Sequence, residues 1–108
     1  MCHCLACQKR TGSIFGVQAR WPADRVTIKG RAQAYVRVGD EGTAATFRFC
    51  PTCGDTVYYE NEVMPGLIAV PVGAFADPTF PPPRVSVYGV RRHPWAVMPA
   101  LVLDEDLD

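Results

Sequence analysis

The 108-residue sequence lacks an excess of charge of either sign, because 11 Lys and Arg residues balance 11 Asp and Glu residues. Binding to the phosphate backbone of nucleic acids normally requires a clear excess of Lys and Arg, so nucleic acid is not an expected partner. Apolar runs near the roughly 20 residues of a membrane-spanning helix are also absent, and no signal peptide precedes the first cysteine. The sequence therefore predicts a soluble protein that binds neither nucleic acid nor membrane.

A convincing helical period is also absent. The weak candidates are a single turn at Gly12-Ser13 and an acidic stretch at residues 101–107. No internal repeat or linker divides the chain, and its length leaves little room for a second hydrophobic core. We therefore expect residues 1–108 to form a single domain.

Nearly every stretch of the chain has the pattern of a short strand or a turn. The predicted strands cover residues 19–21, 25–29, 33–38, 43–49, 56–60, 67–72 and 84–88, bounded by Gly and Pro clusters. Several short strands at such regular spacing predict an all-β fold. The strands on either side of residues 50–54 should form a hairpin with Cys50 and Cys53 at its tip.

The five cysteines form two tight groups, residues 2–7 and residues 50–53. A disulfide framework favours an even and dispersed set. The clustering instead predicts metal binding in a reducing compartment, for which we expect the cytoplasm.

Cys50 and Cys53 have the two-residue spacing that lets one tight turn direct two thiolates at one ion. Pro51 favours the turn, and Gly54 supplies a permissive backbone after it. The alternatives are inert core cysteines or a redox pair, but a thioredoxin-like pair requires a βαβ context that is absent here. Metal binding is the favoured interpretation.

Cys2, Cys4 and Cys7 place three thiols within six residues. In an extended segment Cys2 and Cys4 share one side, and Cys7 returns through a turn. Zinc suits thiolate ligands, and iron is the main alternative. His3 points away from its neighbours and is more often not a ligand in such a position. His93 is interpreted as a surface or lining residue.

Two assignments of these thiols compete. In the first, Cys4, Cys7, Cys50 and Cys53 form one closed structural site and Cys2 is spare. In the second, Cys2, Cys4 and Cys7 form a reactive site with an open fourth position, and the later pair is half of another site. Spacing alone favours the first assignment, because it needs no missing ligands.

Three groups of residues resemble one known family, the glutathione-dependent formaldehyde-activating enzymes, also called the GFA or centromere-protein-V domain. The groups are Cys2-His3-Cys4 with Cys7-Gln8-Lys9-Arg10-Thr11-Gly12-Ser13 and Phe15-Gly16, then Phe49-Cys50 with Cys53-Gly54, and finally residues 72–78, Pro83 and Pro94-Trp95. The resemblance spans almost the whole chain.

This resemblance implies a β-tent of packed antiparallel sheets with two zinc ions. Cys2, Cys4 and Cys7 would hold the catalytic zinc, and Cys50 and Cys53 would hold a structural zinc together with an earlier Cys-x-Cys pair. That pair belongs to an upstream hairpin outside the printed sequence, so we expect either a start placed too late or a shortened member. The sheet edge that the hairpin would cover makes a homodimer a further expectation.

The resemblance also implies a reaction, in which glutathione and formaldehyde form S-hydroxymethylglutathione by carbon–sulfur lyase chemistry. Ser13, Phe15 and Trp95 are the expected substrate-binding residues. The aldehyde oxygen needs a donor, for which Ser13, His3 and Arg10 are in range.

The sequence leaves open the roles of two arginines and the choice between an enzyme and a non-catalytic module. Arg91 and Arg92 either bind the glutathione carboxylates or form a solvated charge pair. The rival to the enzyme is a non-catalytic β module for protein binding, in which one structural Cys₄ zinc site stabilises a small core.

Overall fold

The computed structural model describes residues 1–98 and 103–108. Strands make up most of the regular secondary structure of these residues, which confirms the all-β prediction. The elements are α1 (Leu5–Thr11), β1 (Gln18–Pro22), β2 (Gln33–Val38), β3 (Ala44–Phe49), β4 (Thr56–Asn61), β5 (Leu67–Pro71), β6 (Val85–Ser86) and β7 (Glu105–Asp106), with 3₁₀ turns at Ala23–Arg25, Val72–Phe75 and Gly89–Arg91. Among the helices of the described residues, none is long and apolar enough to cross a membrane.

The chain divides into two compact units. One contains residues 1–18 and 77–108, and the other contains residues 19–76. The first cysteine group lies in the former unit and the second group in the latter. The single-domain expectation stays a prediction.

The unit of residues 19–76 is built on a five-stranded sheet in the order β1-β5-β4-β3-β2. The pairs β2–β3, β3–β4 and β4–β5 are antiparallel. Alternation along β3 buries Ala45 and Phe47, which form a core cluster with Tyr59 on β4 and Ala69 on β5. The rings of Phe47 and Tyr59 lie 4.8 Å apart, and burying one such side chain is worth about 1.5–3 kcal/mol.

The predicted hairpin between β3 and β4 is present. Cys50 N–H donates to the Asp55 carbonyl at 2.9 Å, and Gly54 N–H donates to the Cys50 carbonyl at 2.8 Å. Gly54 has a φ of 82°, which a residue with a side chain rarely adopts. The turn therefore holds both thiols at the tip of the hairpin.

The unit of residues 1–18 and 77–108 is built around the N-terminal segment. Cys2 forms an antiparallel bridge to Gly16 and a parallel bridge to Val87. Cys2 N–H donates to the Gly16 carbonyl at 2.8 Å, and His3 N–H donates to the Val87 carbonyl at 3.1 Å. The segments around Gly16 and Val87 thus hold the backbone of Cys2 and His3 in place.

The sheet of this unit differs from the implied packed antiparallel sheets. The strands β6 and β7 are parallel and only two residues long, with Val85 opposite Glu105 and Ser86 opposite Asp106. The predicted strand at 84–88 is shorter than expected, because Tyr88 adopts a left-handed φ of 58° that ends the extended run.

Two further sequence expectations are wrong. Residues 25–29 form no strand: Arg25 ends a 3₁₀ turn, and residues 26–29 belong to no ladder. Alternation favours an extended backbone, but it supplies no pairing strand. The weak helical candidate at 101–107 forms no helix where it is described, because Glu105 and Asp106 form β7; residues 101 and 102 lie outside the described residues.

The helix α1 was not expected. Its N-cap is Cys4, an unusual capping residue, whose sulfur accepts a hydrogen bond from Cys7 N–H. Gly12 ends the helix with a φ of 70°, and Lys9 and Arg10 lie in its last turn. Both features are typical of a helix C-terminus.

Candidate metal centre

Three thiols converge at the start of the chain. The Sγ atoms of Cys2, Cys4 and Cys7 all lie within 4.8 Å of one another. Cys2 and Cys4 share a side of the extended segment, and α1 begins directly after Cys4 and brings Cys7 back beside it. Cys7 N–H donates to Cys4 Sγ at 3.4 Å. The structure therefore brings together all three of these predicted site residues.

This geometry fits a tetrahedral metal ion. A zinc ion with four sulfur ligands at about 2.3 Å holds the sulfur atoms about 3.8 Å apart, so thiols within 4.8 Å need only small shifts. Cys2 is buried, whereas Cys4 and Cys7 are half-buried. Among the described residues, no other group of three or more Cys, His, Asp or Glu side chains could hold an ion. The cluster supplies three ligands and leaves a fourth position for another molecule.

The pKa values of Cys2 and Cys7 shift in opposite directions. The pKa of Cys7 is lowered to about 5, because the Cys2 thiol donates a hydrogen bond to its sulfur; Cys4 and the Arg10 guanidinium act in the same direction, and burial opposes them. Cys2 has a raised pKa, because its proton is held against Cys7 and its sulfur is buried. Without metal, Cys7 therefore carries a negative charge at neutral pH.

Arg10 is the cation of this cluster. It lies one turn after Cys7 on α1, donates a hydrogen bond to the Cys7 sulfur and lowers the pKa of that thiol. Gly16 lies beside both side chains, because a Cβ on this residue would be 3.4 Å from Arg10 Nη2 and from Cys7 Cβ. The sequence singled out Arg10 only as a donor to the aldehyde oxygen, and its contact with Cys7 was missed.

His3 is not part of the thiol group. Its side chain is 1% exposed, its Nε2 lies 3.2 Å from Ser86 Oγ, and its Nδ1 has no hydrogen-bond partner among the described residues. Burial, followed by the positive charges of Arg92 and the N-terminus, lowers the pKa of His3, and Asp106 opposes them. A neutral, buried imidazole therefore supports the segment between Cys2 and Cys4.

The Gln8 side chain links α1 to the N-terminal segment and to residues 91–93. Its Nε2 donates to the carbonyls of His3 at 2.8 Å and Arg91 at 3.1 Å. Its Oε1 lies 2.9 Å from Nε2 of His93, which is therefore the protonated nitrogen of that ring. In the sequence Gln8 is a member of the family motif, but no role was predicted for it.

The expected substrate-binding residues are dispersed within this unit. Ser13 is exposed after α1, and its N–H donates to Thr11 Oγ1. Phe15 packs edge-on against His3 with ring centroids 5.8 Å apart. Trp95 is 70% exposed and contacts the His93 ring. Their role in binding substrate stays a prediction.

A cavity of about 210 Å³ opens beside His3. The described residues that line it are Met1, His3, Arg92, Ala96, Met98, Leu103 and Asp106. Arg92 and Asp106 form an ion pair at 2.7 Å, so the guanidinium is already neutralised by a carboxylate. Neither Phe15 nor Trp95 is among these lining residues.

Cys50 and Cys53 belong to the other unit. Backbone N–H groups of Cys53 and Thr52 and the Cys53 thiol donate to Cys50 Sγ and lower the pKa of Cys50. The Asp55 backbone acts to lower the pKa of Cys53, but donation to Cys50 and the Asp55 carboxylate raise it overall. No third potential ligand joins them among the described residues, so this pair alone does not complete a tetrahedral site.

Most of the chain matches a known family. Residues 1–91 match the family model described as glutathione-dependent formaldehyde-activating enzyme, GFA. No curated protein matches the chain.

Proposed function

The chain belongs to the glutathione-dependent formaldehyde-activating enzyme family, and from this premise we propose that it joins glutathione and formaldehyde at a zinc ion held by Cys2, Cys4 and Cys7. The observation that carries the proposal is the convergence of three thiols within 4.8 Å, which leaves one ligand position for a thiol from outside the chain. A closed site of four protein thiolates would leave no such position.

The reaction is an addition without a leaving group. The sulfur of glutathione forms a bond to the formaldehyde carbon, and the thiol proton ends on the former carbonyl oxygen, giving S-hydroxymethylglutathione. The reverse reaction breaks the same carbon–sulfur bond, which makes the activity a carbon–sulfur lyase.

The residues of the chain have distinct roles in this proposal. When bound, zinc would supply a Lewis acid that favours the thiolate form of an incoming thiol. Cys2, Cys4 and Cys7 hold the ion, and Arg10, which contacts Cys7, offsets the negative charge that several thiolates create. Ser13, Phe15 and Trp95 are proposed to contact the substrate.

The remaining sites follow from the family. Cys50 and Cys53 are proposed as ligands of a second, structural zinc. All five cysteines are free thiols, which suits a reducing compartment, and we propose a cytoplasmic location.

Metal and thiol binding test this proposal. We expect Cys4→Ser to lose the zinc of the first cysteine group and to melt at a lower temperature, whereas Cys53→Ser, which also removes one thiol, retains that zinc. With cobalt in place of zinc, glutathione should change the absorption spectrum of Cys53→Ser but not that of Cys4→Ser.

Two results would oppose the proposal. Unchanged zinc content and melting temperature in Cys4→Ser would exclude a metal site at these residues. A single tightly held ion with four protein sulfur ligands, insensitive to glutathione, would instead favour the non-catalytic zinc-stabilised module.

A further inference from the structure

The helix α1 carries Cys7, yet it is too short and too exposed to hold its own position. It has seven residues and none of them is buried, so packing of apolar side chains gives it little support. Isolated helices shorter than about 12–15 residues are marginal in water. Polar contacts are therefore needed to fix α1, and with it Cys7, relative to Cys2 and Cys4.

One residue of α1, Gln8, makes such contacts with both segments beside the helix. Its Nε2 donates to the carbonyl of His3 at 2.8 Å and to that of Arg91 at 3.1 Å. Its Oε1 accepts from Nε2 of His93 at 2.9 Å. Both N–H donors and the oxygen of the amide thus have partners. The two carbonyls require the nitrogen on their side, which fixes the orientation of the amide.

The position of Gln8 in the chain relates these contacts to all three thiols. Gln8 directly follows Cys7, and its main-chain N–H donates to the Cys4 carbonyl at 3.0 Å. Its side chain binds the carbonyl of His3, which lies between Cys2 and Cys4. A single residue therefore binds the backbone of the segment that carries two of the thiols and belongs to the helix that carries the third.

We propose that Gln8 is a positioning residue of the metal centre, which sets the spacing of the three thiols. Losing an interaction that orients metal ligands commonly weakens metal binding by about 10–100-fold. Gln8 binds the backbone beside the ligands and no ligand side chain, so we expect the lower end of this range. Through His93, whose ring contacts that of Trp95 with centroids 5.6 Å apart, the same amide also links α1 to an expected substrate-binding residue.

Zinc affinity of the full chain tests this inference. Every protein compared carries Cys53→Ser, so that the first cysteine group dominates zinc binding, and Cys53→Ser alone is the reference. Gln8→Met nearly keeps the length of the side chain and removes its three hydrogen bonds, so it should bind zinc about tenfold more weakly. Lys9→Met, which places the same side chain at the neighbouring exposed position, should bind like the reference.

Two substitutions of His93 separate positioning from a general loss of stability, and they remain informative should Gln8→Met fail to fold. His93→Gln keeps an N–H donor for Oε1 of Gln8, whereas His93→Phe keeps a ring against Trp95 and removes the donor. His93→Gln should therefore bind zinc more tightly than His93→Phe. Adding His93→Phe to Gln8→Met should weaken binding little further, because both remove the same contact.

This inference rests on the metal site of the proposed function but not on the proposed reaction. A folded Gln8→Met that binds zinc as tightly as the reference would overturn the inference alone. Equal zinc affinities of His93→Gln and His93→Phe would do the same. A reference protein that binds no zinc would instead overturn the proposed function and this inference together.

Discussion

At the scale of single residues, the first cysteine group contains two thiols whose pKa values shift in opposite directions, Cys2 upward and Cys7 downward. The Cys2 thiol keeps its proton and donates a hydrogen bond to the Cys7 sulfur. That sulfur also accepts a hydrogen bond from the Arg10 guanidinium. The metal-free cluster is therefore poised to bind a cation, because one ligand is already a thiolate at neutral pH.

The acidity of Cys7 gives the first prediction. In the metal-free protein, alkylation of Cys7 by iodoacetamide should stay fast down to mildly acidic pH and fall as the pH drops through about 5. The physical reason is that the thiolate is the nucleophile, and protonation removes it. Mass spectrometry of the peptide that contains Cys7 measures the rate.

A substitution tests how much the Arg10 guanidinium contributes to the low pKa of Cys7. Arg10→Met should move the midpoint of this profile upward, because it removes both the hydrogen bond and the positive charge beside Cys7. Lys9→Met removes one charge from the neighbouring, exposed position and should leave the midpoint nearly unchanged. A midpoint near the ordinary thiol value of about 8.5 in the wild type would contradict this account of the cluster.

At the scale of elements, the strands were more predictable than the helix. β2, β3 and β4 were identified from alternation. One face of β3 and β4 is buried through Ala45, Phe47 and Tyr59, whereas β2 is mostly exposed and is held by its pairing with β3. Residues 25–29 alternate equally well but have no neighbouring strand to pair with. Alternation therefore indicates the local conformation of the backbone, whereas pairing depends on the rest of the chain.

The helix α1 was missed for a different reason. It is only seven residues long, and its N-cap is a cysteine in place of Ser, Thr, Asp or Asn. Gly12 after Lys9 and Arg10 was the available signal, since Gly at this position commonly ends a helix.

The end of α1 gives the second prediction. Gly12→Ala should lower the free energy of unfolding by about 1 kcal/mol, because an alanine in the left-handed region costs that much, and no neighbouring atom within 4 Å of the new Cβ adds a clash. Because α1 carries Cys7, the same variant should bind zinc more weakly.

Urea unfolding and zinc titration measure these two effects. Gly73→Ala is the matched control, because its Cβ also meets open space but its φ is not positive. Equal losses of stability in the two variants would show that the left-handed conformation of Gly12 has no special cost.

At the scale of the whole molecule, the segment that carries the first cysteine group is supported by residues far from it in sequence. His3 and Ser86 are 83 residues apart in sequence and meet at 3.2 Å, and Arg92 Nη2 also donates to the Ser86 hydroxyl. The grouping of the cysteines predicted a metal site, but no sequence spacing could indicate such distant supports. Spacing alone also favoured the closed Cys₄ assignment, and the family resemblance was needed to favour an open one.

The buried Ser86 gives the third prediction. Ser86→Ala should destabilise the protein by about 1–3 kcal/mol, since it removes a hydrogen-bond partner from the buried His3 imidazole. Ser86 is fully buried, whereas Ser13 is exposed, so Ser13→Ala should change stability by about 0.5 kcal/mol or less. Thermal unfolding of both variants checks the difference, and equal melting temperatures would refute it.

The central claim is that Cys2, Cys4 and Cys7 hold an ion at which glutathione and formaldehyde combine. The most direct measurement is the rate of S-hydroxymethylglutathione formation, compared with the uncatalysed rate at the same glutathione concentration. We predict that the zinc-loaded wild type exceeds the uncatalysed rate and that Cys4→Ser does not. A zinc-loaded wild type that reacts no faster than the uncatalysed mixture would contradict the account.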